Sequence, residues 1–292
     1  MKYPIEILEH YWSFSKFKPQ QEAIIEAVLA NEDCIALLPT GGGKSLCFQI
    51  PALLRDGICI VISPLVALMQ DQVNNLKSKG IKAMALTSGL SYDDIDRMLD
   101  NCIFGNYKFV YLSPERLQQD LVKQRIKQMN VNLIAVDEAH CISQWGHDFR
   151  PAYRDIKLLR TLHPSVNIIG LTASATSKVV NDISDQLDCI SPQIFKTSFK
   201  RPNLAYLSLD CEDKRSKTVQ ILKKYSGSSI IYVQNRKATL EISSYLNKIG
   251  ILSGYYHGGL NTKEKEIQFK LWTSNTNQVM VATNAFGMGI DK

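Results

Sequence analysis

"CIALLPTGGGKSLCFQIPALL", residues 34–54, joins an apolar β-rich run, a loop with three consecutive glycines and a helical pattern. Residues 34–39 are apolar at successive rather than alternate positions, the mark of a strand covered on both faces. Gly41, Gly42 and Gly43 let the backbone bend tightly, so that successive N–H groups face an anion at the start of the following helix. Lys44 then reaches the outer phosphates of a nucleotide, and the Ser45 hydroxyl is placed for a magnesium ion; Thr40 belongs to the same nucleotide-binding turn. The strict GxxxxGK[ST] pattern asks for glycine where this chain has Leu38. A plain glycine-rich turn is the alternative, but strand, glycines, lysine and serine in this order weigh against it.

The same strand signature recurs outward from this stretch, at 58–63, 83–88, 109–114, 133–138 and 167–172. Segments 65–79, 115–129 and 176–187 between them have helical apolar spacing. A repeating βα pattern of this kind predicts an α/β domain on a parallel sheet, occupying residues 1–200. "SFKRPNLAY" (198–206) reads as a linker. Beyond it strands at 229–234, 252–257 and 278–283 alternate with helical stretches 236–249 and 261–273. The expected architecture is two parallel-sheet domains in tandem. Residues 201–292 hold too few strands to match the first domain, so they are expected to be the N-terminal part of the second, leaving it incomplete.

Composition narrows the function classes. No stretch is apolar for the roughly 18 residues of a membrane span, and "MKYPIEILEHYWSF" (1–14) lacks the apolar block of a signal peptide. No membrane partner and a cytoplasmic location, nucleoid-associated in a bacterium, are therefore expected. The seven cysteines form no CxxC pair, so no zinc site is expected, although His140, Cys141 and His147 lie close in sequence. The net charge of +6 favours phosphate-rich partners only mildly. Oligomeric state leaves no mark in the sequence.

A phosphate loop needs a partner that holds the metal and orients water. "LIAVDEAH" (133–140) ends an apolar strand on two carboxylates. Asp137 supplies an oxygen for the magnesium shell, and Glu138, pointing elsewhere, polarises the attacking water. Adjacent acids in a surface turn usually mean nothing; an apolar strand before them and a phosphate loop upstream make that reading the weaker one here. The stretch continues as "CISQWGHDFRP" (141–151), where Trp145 and Phe149 offer faces on which unpaired bases stack and Arg150 a phosphate contact.

With "PTGGGKS" and "DEAH" in view, the chain resembles the motor core of RecQ-type DNA helicases, within helicase superfamily 2. The resemblance runs through nearly all of the chain. "FSKFKPQQEAI" (14–24) is similar to the family's adenine-recognition motif, which implies that Gln21 reads the adenine edge while Phe14 and Lys18 flank the base. Lys18 stands where the family usually has arginine, so planar guanidinium stacking is lost. "SPLVALMQDQ" (63–72), "SPERL" (113–117) and "LTASAT" (171–176) follow in the family's order, as do "IIYVQNR" (230–236), "YYHGGL" (255–260) and "VATNAFGMGIDK" (281–292).

The resemblance implies two RecA-like domains, ATP and Mg²⁺ as cofactors, and single-stranded and partly duplex DNA as partners. It makes Lys44, Asp137, Glu138 and His140 the catalytic set and adds Asp291 to the nucleotide contacts. Ser63, Pro64 and Ser113 are expected at the DNA backbone, Thr172 and Ser174 as a relay between nucleotide and DNA, and the segment after DEAH as the loop that senses DNA and couples it to hydrolysis. It further implies 3′–5′ translocation with duplex unwinding. The family's arginine-finger motif is expected past Lys292, so these residues alone are expected to hydrolyse ATP weakly. Competing readings are a non-catalytic module using ATP as a conformational ligand, an RNA-remodelling ATPase and, more remotely, a small-molecule kinase, which would leave the second-domain motifs unexplained.

Overall fold

The structure, a computed structural model, describes residues 3–87, 89–146, 148–198, 203–287 and 292. The chain divides into two compact units, residues 1–202 and 203–292.

The first unit is built on seven parallel strands: β1 (Cys34–Leu37), β2 (Ile58–Ile62), β3 (Ala83–Leu86), β4 (Phe109–Leu112), β5 (Val131–Val136), β6 (Ile168–Thr172) and β7 (Gln193–Lys196). Their spatial order is β3-β4-β2-β5-β6-β1-β7. Its helices are α1 (Pro4–Trp12), α2 (Gln21–Leu29), α3 (Leu46–Leu54), α4 (Val66–Ser78), α5 (Tyr92–Phe104), α6 (Asp120–Gln128), α7 (Lys157–Leu162) and α8 (Ser177–Gln186).

Period-2 geometry explains why these strands read as unbroken apolar runs. One face presents Ile35, Leu37, Ile60, Ile62, Val110, Leu112, Ile134 and Val136 to a core shared with Leu99, Val122, Ile126 and Ile183. The opposite face presents Cys34, Ala36, Cys59, Val61, Tyr111, Leu133 and Ala135 to Phe48 of α3 and to Met69, Val73 and Leu76 of α4. Both faces are dry, and each large side chain removed from water contributes about 1.5–3 kcal/mol. A charge placed at Ile60 or Val61 would break the sheet from either side.

All strands being parallel, the turns after β1, β2, β4, β5 and β6 emerge at one edge, where ligands of open α/β sheets bind. That edge carries the glycine loop, Ser63–Pro64, Ser113, Asp137–Glu138 and Thr172–Ser174.

Two departures from expectation stand out. The segment 115–129 is not one helix: a 3₁₀ turn, Pro114–Gln118, is separated from α6 by Gln119 in extended conformation. Strand β7 escapes the apolar criterion because it lies at the sheet edge, largely exposed, paired only with β1 among the described residues.

The second unit holds a parallel three-stranded sheet, with β8 (Ser229–Tyr232), β9 (Ser253–Tyr256) and β10 (Val279–Ala282) in the order β8-β10-β9. Its helices are α9 (Lys214–Lys224), α10 (Arg236–Lys248) and α11 (Thr262–Thr273). The central strand β10 is buried throughout, whereas Ile230 and Tyr232 on β8 are exposed. Among the described residues, no helix is long and apolar enough to cross a membrane.

Candidate functional site

The glycine loop follows β1 directly. Gly41 and Gly43 both have φ of +76°, a region that glycine enters without the steric cost of a Cβ. A Cβ on Gly43 would lie 2.2 Å from Gln21 Nε2, so no larger residue fits there without displacing Gln21. The loop is held from below by α2 and the turn before it. Gln21, only 1% exposed, donates through Nε2 to the carbonyls of Gly43 (3.0 Å) and Gly42 (3.4 Å), and its Oε1 accepts the Lys18 N–H at 2.8 Å. Lys18 Nζ donates to Gly41 O at 2.7 Å. Gln21 and Lys18 thus brace the loop's carbonyls, which turns its N–H groups outward. Beside them, an open cavity of about 620 Å³ is lined in part by Phe17, Lys18, Gln20 and Glu22. Phe14 is exposed and stands free of that lining.

Gly42 N–H donates to Pro39 O and Leu46 N–H to Gly43 O; no backbone acceptor among the described residues takes those of Gly41, Gly43, Lys44 and Ser45. Four outward donors beside a half-buried lysine form a cradle for an anion. Ser45 Oγ accepts from Gln72 Nε2 of α4 at 2.8 Å.

Asp137 sits at the end of β5. Its N–H donates to Ile62 O (2.8 Å), its carbonyl accepts from the buried Tyr153 hydroxyl (3.1 Å), and its Oδ1 accepts the Glu138 N–H (3.0 Å). Burial, with the neighbouring Glu138 carboxylate, pushes its pKa up from 3.8 to about 6, against the pull of Lys44. The backbone at Glu138 is left-handed, with φ 47° and ψ 45°, an uncommon conformation for a non-glycine residue and a strain of the kind found at functional sites. The two adjacent carboxylates have different partners: Asp137 Oδ1 takes the Glu138 N–H, while Glu138 Oε2 lies 3.4 Å from His140 Nδ1. A desolvated carboxylate whose pKa is already raised, and which feels the Lys44 charge at the end of the glycine loop, suits a hard oxygen-seeking cation carried by a polyphosphate. The fit to Mg²⁺–ATP is good: Ser45 and Asp137 would hold the metal, which when bound neutralises phosphate charge.

The charge on Asp137 costs stability in the free protein. Its pKa is raised on folding, so the penalty is full above about pH 6 and fades as the pH falls toward the ordinary value of 3.8. Asp137→Asn is expected to stabilise the ligand-free chain by about 1–3 kcal/mol at pH 8, read from urea unfolding, with the gain shrinking below pH 6. A pH-independent change, or a loss of stability, contradicts this account of the site.

His140 is buried next to the carboxylate. Its Nδ1 lies 2.9 Å from Thr172 Oγ1 at the end of β6 and 3.4 Å from Glu138 Oε2. The Ser174 N–H in turn donates to Thr172 Oγ1 (3.2 Å). Glu138, His140, Thr172 and Ser174 therefore form one connected polar chain across β5 and β6.

The stretch after DEAH folds as a 3₁₀ turn, Ala139–Ile142, followed by an irregular loop. Trp145 is 66% exposed, with the Lys178 ammonium over its ring at 3.1 Å from the centroid. Arg154 lies over the Phe149 ring at 5.3 Å. Arg150 donates through Nη1 to Pro64 O at 3.0 Å and pairs with Asp148 at 3.6 Å, tying the loop to the turn after β2. Ser63 is only 2% exposed, its hydroxyl without a partner among the described residues, and Thr172 is fully buried. At the same edge Pro64 and Ser113 are half-buried and Ser174 is exposed. Asp291 and His147 lie outside the described residues. Among the described residues, no group of three or more His, Cys, Asp or Glu is placed to hold a metal on its own.

Comparison with known proteins bears directly on this arrangement. The DEAD/DEAH box helicase family model matches residues 18–183, more than half of the chain. The chain belongs to the DEAD/DEAH box helicases. Residues 213–292 of this helicase match the helicase conserved C-terminal domain. Within the family it is similar to RecQ-type DNA helicases. It is 42% identical over 289 residues to the ATP-dependent DNA helicase RecQ of Bacillus subtilis (98% of this chain, 49% of that one). It is 38% identical over 292 residues to the probable ATP-dependent DNA helicase RecS of the same organism (98% and 58%). The chain spans about half the length of the curated relatives it matches. A solved structure of S. cerevisiae Dbp5 bound to RNA and ADP BeF3 superposes with a TM-score of 0.74 at 19% identity, covering 99% of this chain and 75% of that one. Mycobacterium smegmatis helicase Lhr bound to ssDNA and AMP-PNP gives 0.70 at 18% (96% and 41%). At such identities these two show the shared RecA-like helicase fold.

Sequence reading missed several members of the site. Tyr153, which pins Asp137, sits in a stretch with no motif. Lys178 is one charge among many on an exposed helix start, and Gln72, although inside the motif at 63–72, carries no sign there of its bond to Ser45. Only the tertiary structure brings them in.

Proposed function

We propose that this chain is the ATP- and single-stranded-DNA-binding core of a RecQ-type helicase, in which the loop 141–151 couples DNA to the nucleotide site. The observation that carries the reading is one short tether. Glu138 and His140 sit at its root, His140 lying between Glu138 and Thr172, while Trp145 and Arg150 extend along it, Arg150 holding Pro64. DNA that moves Trp145 or Arg150 therefore acts on the residues around the phosphates. Lys44 and the loop N–H groups bind the triphosphate, Ser45 and Asp137 hold the metal, and Glu138 takes the proton of the attacking water. The adenine is gripped at the cavity beside Lys18, next to the buried Gln21 that braces the loop. Ser63–Pro64 and Ser113 meet the DNA backbone, and Thr172 and Ser174 relay between DNA and nucleotide.

The reading includes 3′–5′ translocation coupled to duplex unwinding.

Fluorescence anisotropy with labelled DNA and RNA oligonucleotides of one sequence tests the partner. Single-stranded DNA is expected to bind more tightly than RNA. Its affinity should fall at least about tenfold between roughly 50 and 200 mM salt, since phosphate contacts release counterions. RNA binding equal to or tighter than DNA would favour the RNA-remodelling alternative, and salt-independent binding would remove the phosphate contacts from the account.

A further inference from the structure

Behind Ser45 lies a polar cluster in an otherwise apolar layer. Gln72 of α4 uses both ends of its amide. Nε2 donates to Ser45 Oγ at 2.8 Å, while Oε1 accepts from Gln49 Nε2 (3.1 Å) and from the Tyr111 hydroxyl (3.2 Å). Gln49 Nε2 also donates to the Tyr111 oxygen at 3.2 Å. Gln49 and Tyr111 are buried, on α3 and β4, and their neighbours Phe48, Phe109 and Val73 are apolar. Three polar side chains from three elements are therefore oriented by one another, and the one hydrogen bond leaving the cluster among the described side-chain contacts goes to Ser45.

We propose that Gln72 is a positioning residue for the Ser45 hydroxyl and sets the magnesium affinity of the phosphate loop, with Tyr111 and Gln49 locking its amide. This rests on the proposed placement of the metal at Ser45. A hydroxyl on a glycine-rich loop rotates freely, and ordering it on metal binding costs entropy. With one lone pair taken by the Gln72 amide, the other is directed at the loop, so the oxygen is pre-set to ligate. Outer-shell partners of metal ligands commonly account for about 10–100-fold in affinity. Tyr111 fixes which end of the Gln72 amide faces Ser45, and its loss loosens the lock without emptying it. Helix α4 also begins just after Pro64, whose carbonyl holds Arg150, so the same helix touches both the metal side and the loop after DEAH.

The test is a magnesium titration of the binding of a fluorescent, non-hydrolysable ATP analogue to the full chain, alongside its affinity in EDTA and the thermal midpoint. Gln72→Met, close in shape but without the donor, is expected to raise the magnesium midpoint about tenfold, leaving analogue affinity in EDTA unchanged. Tyr111→Phe should shift the midpoint less, in the same direction. Ser45→Ala separates the two layers of the claim. If Ser45→Ala shifts the midpoint and Gln72→Met does not, the positioning role is overturned while the metal placement stands. If Ser45→Ala shifts nothing, the metal placement fails and the proposal with it. Equal weakening by Gln72→Met with and without magnesium overturns the proposal in favour of a packing role.

Discussion

Glu138→Gln is expected to lower single-turnover ATP cleavage by about 10²–10⁴-fold while leaving affinity for Mg²⁺–ATP intact. The substitution is isosteric and keeps an oxygen within reach of His140, which lies 3.4 Å from Glu138 Oε2 in the native arrangement. It removes the group able to take a proton from water. It also removes the neighbouring negative charge that helps raise the Asp137 pKa, so Asp137 should hold its charge to lower pH in the variant. Enzyme-excess kinetics with labelled ATP make even a slow native rate measurable. A variant that cleaves as fast as the parent would show that Glu138 is not the base, and the left-handed turn that separates it from Asp137 would need another explanation.

Trp145→Ala is expected to weaken single-stranded DNA binding by about 10–100-fold at low salt, the loss of roughly 1–3 kcal/mol of stacking on one base. Two thirds of this side chain is exposed in a position where nothing but Lys178 covers it among the described contacts, a poor use of a tryptophan in a loop that serves packing alone. Lys178, released from the ring when a base arrives, is well placed to meet the adjacent phosphate. Affinity for the ATP analogue without DNA should stay at the parent value, because Trp145 touches neither the glycine loop nor Asp137. If the variant loses stability and keeps its DNA affinity, the ring was a packing element after all.

How much of this was legible before the fold was known differs by layer. Strands β1 to β6 were legible because a parallel sheet buries both faces, leaving runs such as 58–62 and 131–136 without alternation. Helices α1, α2, α5 and α7 lie outside the segments whose apolar spacing predicts a helix. Strand β7 carries no such run because it closes the sheet edge. The residues at strand ends were legible from order and spacing: Lys44, Ser45, Asp137, Glu138 and Thr172 all fall on one edge of the sheet. Their orientation was not. Ser63 and Thr172 are buried, and Gln21 is spent on the loop's carbonyls, buried and absent from the lining of the cavity beside Lys18. Contacts such as Tyr153 to the Asp137 carbonyl, or Gln72 to Ser45, join residues 16 and 27 positions apart through the fold, and no local pattern encodes them.

The central claim is that DNA on the loop and nucleotide on the glycine loop report to each other. Binding linkage is reciprocal, so the effect is readable without any turnover. The decisive measurement is the affinity of a non-hydrolysable ATP analogue with and without saturating single-stranded DNA, in the parent chain and in Trp145→Ala. The account predicts an affinity that changes by at least about fivefold with DNA in the parent, a coupling of roughly 1 kcal/mol or more, and little change in Trp145→Ala. An affinity indifferent to DNA in the parent, with both ligands bound, would contradict it.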